Sequence, residues 1–132
     1  MSIAAYKRTI SETESPRQIE RRVLSRATSE LERLGPEYDA AERGLDRLTF
    51  LANGLRDALW QNQKVWLAFQ HDLAQEGNTL APDLRAGLLS LSHWVDTHTR
   101  GVLLGQNKVR PLIEINQTII RALDGNTLQA ME

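Results

Sequence analysis

Residues 45–73 read LDRLTFLANGLRDALWQNQKVWLAFQHDL. Within them Leu45, Leu48, Ala52, Leu55, Leu59, Asn62, Trp66, Phe69 and Leu73 recur at alternating spacings of three and four. That period places all nine on one face of an α-helix and resembles a heptad seam. Asn62 is the seam's one polar member. Gly44 lies just before the run and Gly54 within it, each at a cost of ~1 kcal/mol relative to alanine inside the expected helix. A bend is expected near Asn53-Gly54. The helix itself is expected to open between Pro36 and Asp39 and to close near Glu76, with Gly77 as a left-handed cap.

Glycine and proline divide the remaining chain into three more helical segments. Ser15-Pro16-Arg17-Gln18 has the form of a helix start, with Ser15 as N-cap, Pro16 in the first turn and Gln18 closing a capping box. Ile19, Val23, Ala27, Leu31 and Leu34 follow at helical spacing, and Gly35-Pro36 is expected to stop that helix. A third helix begins at Pro82-Asp83, carries Leu84, Leu88, Leu91, Val95, His98 and Val102, and ends at Gly105. A fourth begins between Asn107 and Pro111, carries Leu112, Ile113, Asn116, Ile119, Ile120 and Leu123, and ends at Gly125. No segment alternates with period two, so no strand is expected. The reading is an all-α, single-domain bundle of four main helices, the second long and bent. Residues 1–14 and 126–132 are expected to be loose.

Composition agrees. The chain has 132 residues, 41% of them hydrophobic and 25% charged, with a formal net charge of -1. That suits one soluble domain with its own core and no overall field towards nucleic acid or an anionic membrane. Cysteine is absent, which excludes disulfides, thiolate catalysis and cysteine-based zinc sites. No segment reads as a signal peptide or a membrane span, so a cytoplasmic location is expected.

Chemistry-bearing residues are few. His93 and His98, five apart, point about 140° from each other on a helix and do not form a metal pair. His98 lies on an apolar stripe and is expected to be a core residue bonded to a neighbouring helix. Asn62 and Asn116 need partners for two donors and an acceptor each if buried. They either fix helix register or await a bound peptide. Trp60 and Trp94 fall off the main stripes; Trp94 is expected in the core, and Trp60 either in a core face or at an interface. Arg17, Arg21, Arg22 and Arg26 are interleaved with glutamates, without stacking aromatics, as in a solvated salt-bridged face. Glu20 sits between Ile19, Val23 and Ala27 and is expected to pair with an arginine. There is no phosphate loop, no serine–histidine–acid motif and no apolar carboxylate pair, so neither an enzyme nor a cofactor is expected.

Several ordered elements carry a resemblance. They are Tyr6, the Pro16-Arg17…Glu20 cluster, Asn62-x-x-x-Trp66, Asn78-x-Leu80-x-Pro82-x-Leu84, Ser90-Leu91, Val95, His98-Thr99 and Leu112-Ile113…Asn116…Ile119. Together they resemble the flagellar biosynthesis regulator FlaF family; the linker from Leu34 to Arg47 agrees least. The resemblance implies flagellin as a partner, in the manner of an export chaperone, and a link to an FlbT-like regulator of flagellin mRNA. Direct RNA binding to flagellin mRNA is the alternative, and a homo-oligomer built on the seam is a third. Trp60, Asn62, Trp66 and Phe69 are the candidate partner-binding residues, expected to line an apolar groove. Glu20, His98 and Asn116 are the candidate structural polar residues.

Overall fold

The computed structural model describes residues 16–124. Ser15, Tyr6, Gly125 and the two expected loose ends lie outside the described residues. The described residues form α1 (Pro16–Ala40), α2 (Gly44–Phe50), α3 (Arg56–Ala74), α4 (Pro82–Leu103) and α5 (Arg110–Asp124), with a π-type segment at Leu51–Leu55 joining α2 to α3. No strand occurs among them. Counting α2, the π segment and α3 as one bent helix of 31 residues gives four main helices, all α, as expected.

The stop expected at Gly35-Pro36 does not occur. α1 runs through Pro36 to Ala40. A proline inside a helix removes one hydrogen bond and crowds the preceding turn, at a cost of roughly 3 kcal/mol. Pro36 is exposed, so the defect faces water, and the last turn makes distant contacts that offset it. Tyr38 is fully buried and its hydroxyl donates to the Val102 carbonyl at 2.5 Å. Asp39 accepts from the backbone N–H groups of Val109 and Arg110 at 2.7 and 2.9 Å. That carboxylate caps the start of α5 from another helix, where the helix dipole favours a negative charge. Gly35 serves close approach: a Cβ there would lie 3.0 Å from Val109 Cγ1. The buried line of α1 is Leu24, Ala27, Thr28, Leu31 and Tyr38, while Ile19 and Val23 are each 37% exposed.

Because α1 keeps residues 36–40, the second helix opens at Gly44 and not at Pro36–Asp39. It bends where expected. Asn53 has φ -93° and ψ 29°, and Gly54 has φ 118°, a conformation that favours glycine strongly. The Arg56 N–H bonds to Leu51 O, five residues back. This bend decides which residues are covered. Leu51, Leu55, Leu59, Asn62, Trp66 and Leu73 are buried, but Leu45 and Leu48 are 76% and 47% exposed. The seam is continuous in sequence and interrupted in space. α1 packs chiefly on α5 and α3, and α4 on α3. α3 ends at Ala74, slightly earlier than expected, and Gly77 takes φ 87° in the turn beyond.

α4 starts with Pro82 in its first turn and Asp83 beside it, and Gly105 follows it with φ 77°. Its core-facing line is Ser92, Val95, Thr99 and Val102. The main core gathers Leu24, Leu31, Tyr38, Leu55, Leu59 and Leu112 with the two valines. A smaller cluster of Leu73, Leu80 and Leu123 closes the other end.

Two glycines of α4 predict opposite outcomes for one substitution. Gly87 is exposed, with nothing within 4 Å of an added Cβ, so Gly87→Ala should stabilise by ~1 kcal/mol through helix propensity alone. An added methyl at buried Gly101 would overlap the Asn107 side chain, whose amide donates to His98 O at 3.2 Å. Gly101→Ala should therefore destabilise by ~1–3 kcal/mol. Thermal melting of the two variants checks the pair of signs.

Candidate functional site

The side chains singled out in the sequence separate into a buried relay and an exposed edge. In the relay, the Trp66 indole Nε1 donates to Asn116 Oδ1 at 2.9 Å, and Asn116 Nδ2 donates to Asn62 Oδ1 at 2.8 Å. Both asparagines are fully buried, and Trp66 is 4% exposed. Phe69 is half-buried and meets Trp66 edge to face, at 5.5 Å between ring centres. α3 and α5 share little close backbone contact, so these side chains span the gap between them. Inside a low-dielectric core such bonds favour one register over its neighbours. Asn62 Nδ2 is buried without a partner, a cost of about 1–3 kcal/mol. The structural role considered for Asn62 and Asn116 is the one their geometry fits. Burial also removes Asn62 and Trp66 from the surface on which they were expected to meet a partner.

Trp60 is the member of that set which lies outside. It is 51% exposed, and Lys64 Nζ sits 5.4 Å from its ring centre, in reach of a cation–π attraction. Leu67, seven residues on and so on nearly the same helix face, is 53% exposed. Beside Leu67 a shallow cleft runs between α3 and α4, lined by Gln63, Trp66, Gln70, Ser92 and Asp96 among others. Gln63 Nε2 donates to Asp96 Oδ1 across it at 3.4 Å. Where an apolar groove around Trp60 and Trp66 was expected, the cleft is shallow and partly polar; the edge of Trp66 is among its lining residues and Trp60 is not.

Trp94 and His98 correct two expectations. Trp94 is 40% exposed, not a core residue. α4 approaches α3 with small side chains, and Trp94 lies about 200° round the helix from Ser92. Its ring stacks on His98 at 4.8 Å. His98 is half-buried, and its Nε2–H donates to Lys108 O at 2.7 Å. The partner is the turn between α4 and α5, not a neighbouring helix. The stripe position next to it, Thr99, takes the core place and donates to Val95 O at 2.6 Å. Glu20 is half-buried and engaged with a partner.

Sequence reasoning misses Tyr38, Asp39 and Arg47, although they tie the bundle together at one end. Arg47 donates to Ala41 O at 3.0 Å and to Gly105 O at 2.8 Å, with its guanidinium 5.2 Å from the Tyr38 ring centre. Burial pushes the Tyr38 hydroxyl above the ordinary tyrosine range, which keeps it a donor. One signal pointed to Asp39. The residue before α5 is Val109, which cannot cap a helix, so that helix needed a cap from elsewhere. Asn78 plays a similar part locally. Its Oδ1 accepts from Leu80 N at 3.0 Å, shaping the turn that buries Leu80.

The relay ranks its own substitutions. Asn116→Leu breaks two bonds and strands both Trp66 Nε1 and Asn62 Oδ1. Asn62→Leu breaks one bond, strands Asn116 Nδ2 alone and removes the unpartnered Nδ2. Asn116→Leu should cost at least ~1 kcal/mol more than Asn62→Leu in denaturant unfolding. Equal costs, or the reverse order, would show that the amides are not coupled as described.

Comparison with curated proteins and with solved structures returns no match. The family model described as flagellar protein FlaF matches residues 2–123. That span contains the Asn62–Trp66–Asn116 relay, the Asn78 turn and the Asp39 cap, and over it the chain belongs to the flagellar protein FlaF family.

Proposed function

We propose that this chain is a non-enzymatic flagellin-binding adaptor. In this reading it holds flagellin as an export chaperone does, and it couples export to flagellin synthesis through an FlbT-like partner in the cytoplasm. The observation that carries the reading is the exposed Trp60–Leu67 edge of α3 in a member of a flagellar family. Large apolar side chains exposed on a rigid helix suit a helical partner, and tryptophan is enriched among residues that dominate binding energy. The cleft beside Leu67 offers Gln63, Gln70 and Asp96 as polar contacts at its floor and walls. No described helix is long and apolar enough to cross a membrane.

Direct binding to flagellin mRNA draws less support. On α1, Arg21 is paired with Asp124, and Arg33 with Glu30. Tyr38 is the helix's one aromatic residue and is buried, so no ring stands ready to stack on a base.

Trp60→Ala is the direct test. Loss of a desolvated tryptophan anchor commonly costs ~2 kcal/mol or more, so flagellin affinity by calorimetry should fall more than tenfold. The melting temperature should hardly change, because Trp60 supports no core contact comparable to Trp66. A folded Trp60→Ala variant that binds flagellin as well as the parent would place the surface elsewhere. Salt gives a second check. With a net charge of -1 and charges of both signs on the surface, flagellin affinity should decline only modestly from low to physiological salt. A steep decline together with measurable RNA binding would favour the nucleic-acid reading.

A further inference from the structure

The chain carries six asparagines, and Asn53 is the one followed by glycine. The others, Asn62, Asn78, Asn107, Asn116 and Asn126, precede glutamine, threonine, lysine, glutamine and threonine. An asparagine amide can be attacked by the backbone nitrogen of the next residue. A side chain on that residue hinders the approach, and glycine has none. The fold separates the same residues again. Asn62 and Asn116 are fully buried. Asn78 donates to Asp72 O at 3.3 Å while its Oδ1 accepts from Leu80 N at 3.0 Å, and Asn107 donates to His98 O at 3.2 Å. Asn126 lies outside the described residues. Asn53 is exposed, and its side chain makes no hydrogen bond among the described residues. Its backbone, at φ -93° and ψ 29°, has left the helical range, and Gly54 beyond it takes φ 118°. The bend that shapes the second helix thus presents an untied amide to water beside an unhindered backbone nitrogen.

We propose that Asn53 is a site of spontaneous deamidation, at which the bend between α2 and α3 is chemically rebuilt with age. Gly54 N attacks Asn53 Cγ, and the new C–N bond closes a succinimide ring. The side-chain nitrogen leaves as ammonia, with the proton that Gly54 N gives up. Water then adds to one of the two ring carbonyls and opens the ring. Opening at the side-chain carbonyl leaves aspartate on the original backbone. Opening at the main-chain carbonyl leaves isoaspartate, in which the chain runs through the former side chain and is one atom longer. Both products carry a negative charge that Asn53 lacks. The extra atom falls between Leu51 and Leu55, which are 1% and 0% exposed and hold the two sides of the bend in the main core. Isoaspartate therefore strains their packing, and aspartate does not. The inference is independent of whether flagellin is the partner.

The unaltered folded protein is the test object. It is held in mildly alkaline buffer and then digested with trypsin, which cuts after Arg47 and Arg56 and releases residues 48–56. Mass spectrometry should find the change from amide to acid in that peptide, and chromatography should resolve its aspartyl and isoaspartyl forms. Conversion there should run at least roughly tenfold faster than in the peptides that hold Asn62, Asn78, Asn107 or Asn116, a barrier difference of only ~1.4 kcal/mol. A synthetic peptide of residues 48–56 gives the rate without the fold, and the folded chain should react within about tenfold of it. If Asn53 of the folded chain stays intact when the synthetic peptide is half converted, the fold protects it and the proposal fails. Faster conversion at any of the other four overturns it equally. The strain is read by melting. Asn53→Asp has the charge without the inserted atom and should melt near the parent, while the aged protein should melt lower as its isoaspartate content grows. An aged sample rich in isoaspartate that melts as Asn53→Asp does would overturn the rebuilt bend.

Discussion

The hydrogen-bonded sequence Trp66–Asn116–Asn62 is the constraint on which the arrangement of the bundle depends. Apolar seams of three-four spacing are degenerate: a helix displaced by one turn buries much the same surface. A buried amide is not degenerate. Asn116 must meet both an indole N–H and an amide carbonyl, and it does so at 2.9 and 2.8 Å. Any slip of α3 against α5 would leave at least two buried polar atoms unpaired. With that register fixed, Val109 lies where Asp39 can cap α5, and Val102 lies where Tyr38 can reach it.

Much of this is legible in the sequence, for a physical reason. A polar residue at an apolar period is a local anomaly, and Asn62 and Asn116 stand out without knowledge of the fold. Gly54 is legible as a bend because helix propensity is local too. What cannot be read are the outcomes set by contacts distant in sequence. Pro36 marks a helix end by every local rule. The helix continues because Tyr38 and Asp39 bond to residues 64 and 70 or 71 positions away. Leu45 and Leu48 match the seam perfectly in period, yet the bend at Gly54 carries them off the core line. Trp94 reads as core because it is large, and α4 instead presents serine, threonine and valine to its neighbours.

Two ends of the molecule then have different characters. Along α3 and α4, Trp60 and Leu67 are exposed on a helix whose other face packs into the core, a rigid presentation that limits the entropy lost on binding. At the α2 end, the exposed leucines sit on a short helix without a buried residue. Trp66 separates the roles: buried in the relay, it supports the helix from which Trp60 projects.

The three tryptophans make the register directly measurable. In a proton–nitrogen correlation spectrum each indole N–H gives its own signal, and its exchange with deuterated water reports burial and bonding. The relay predicts that the Trp66 indole proton exchanges only through opening of the core, orders of magnitude more slowly than that of Trp60. It also predicts that Asn116→Leu abolishes this protection while Trp60 is unaffected. A Trp66 indole that exchanges as fast as Trp60's in the folded protein would contradict the relay, and with it the register on which the rest of the bundle is built.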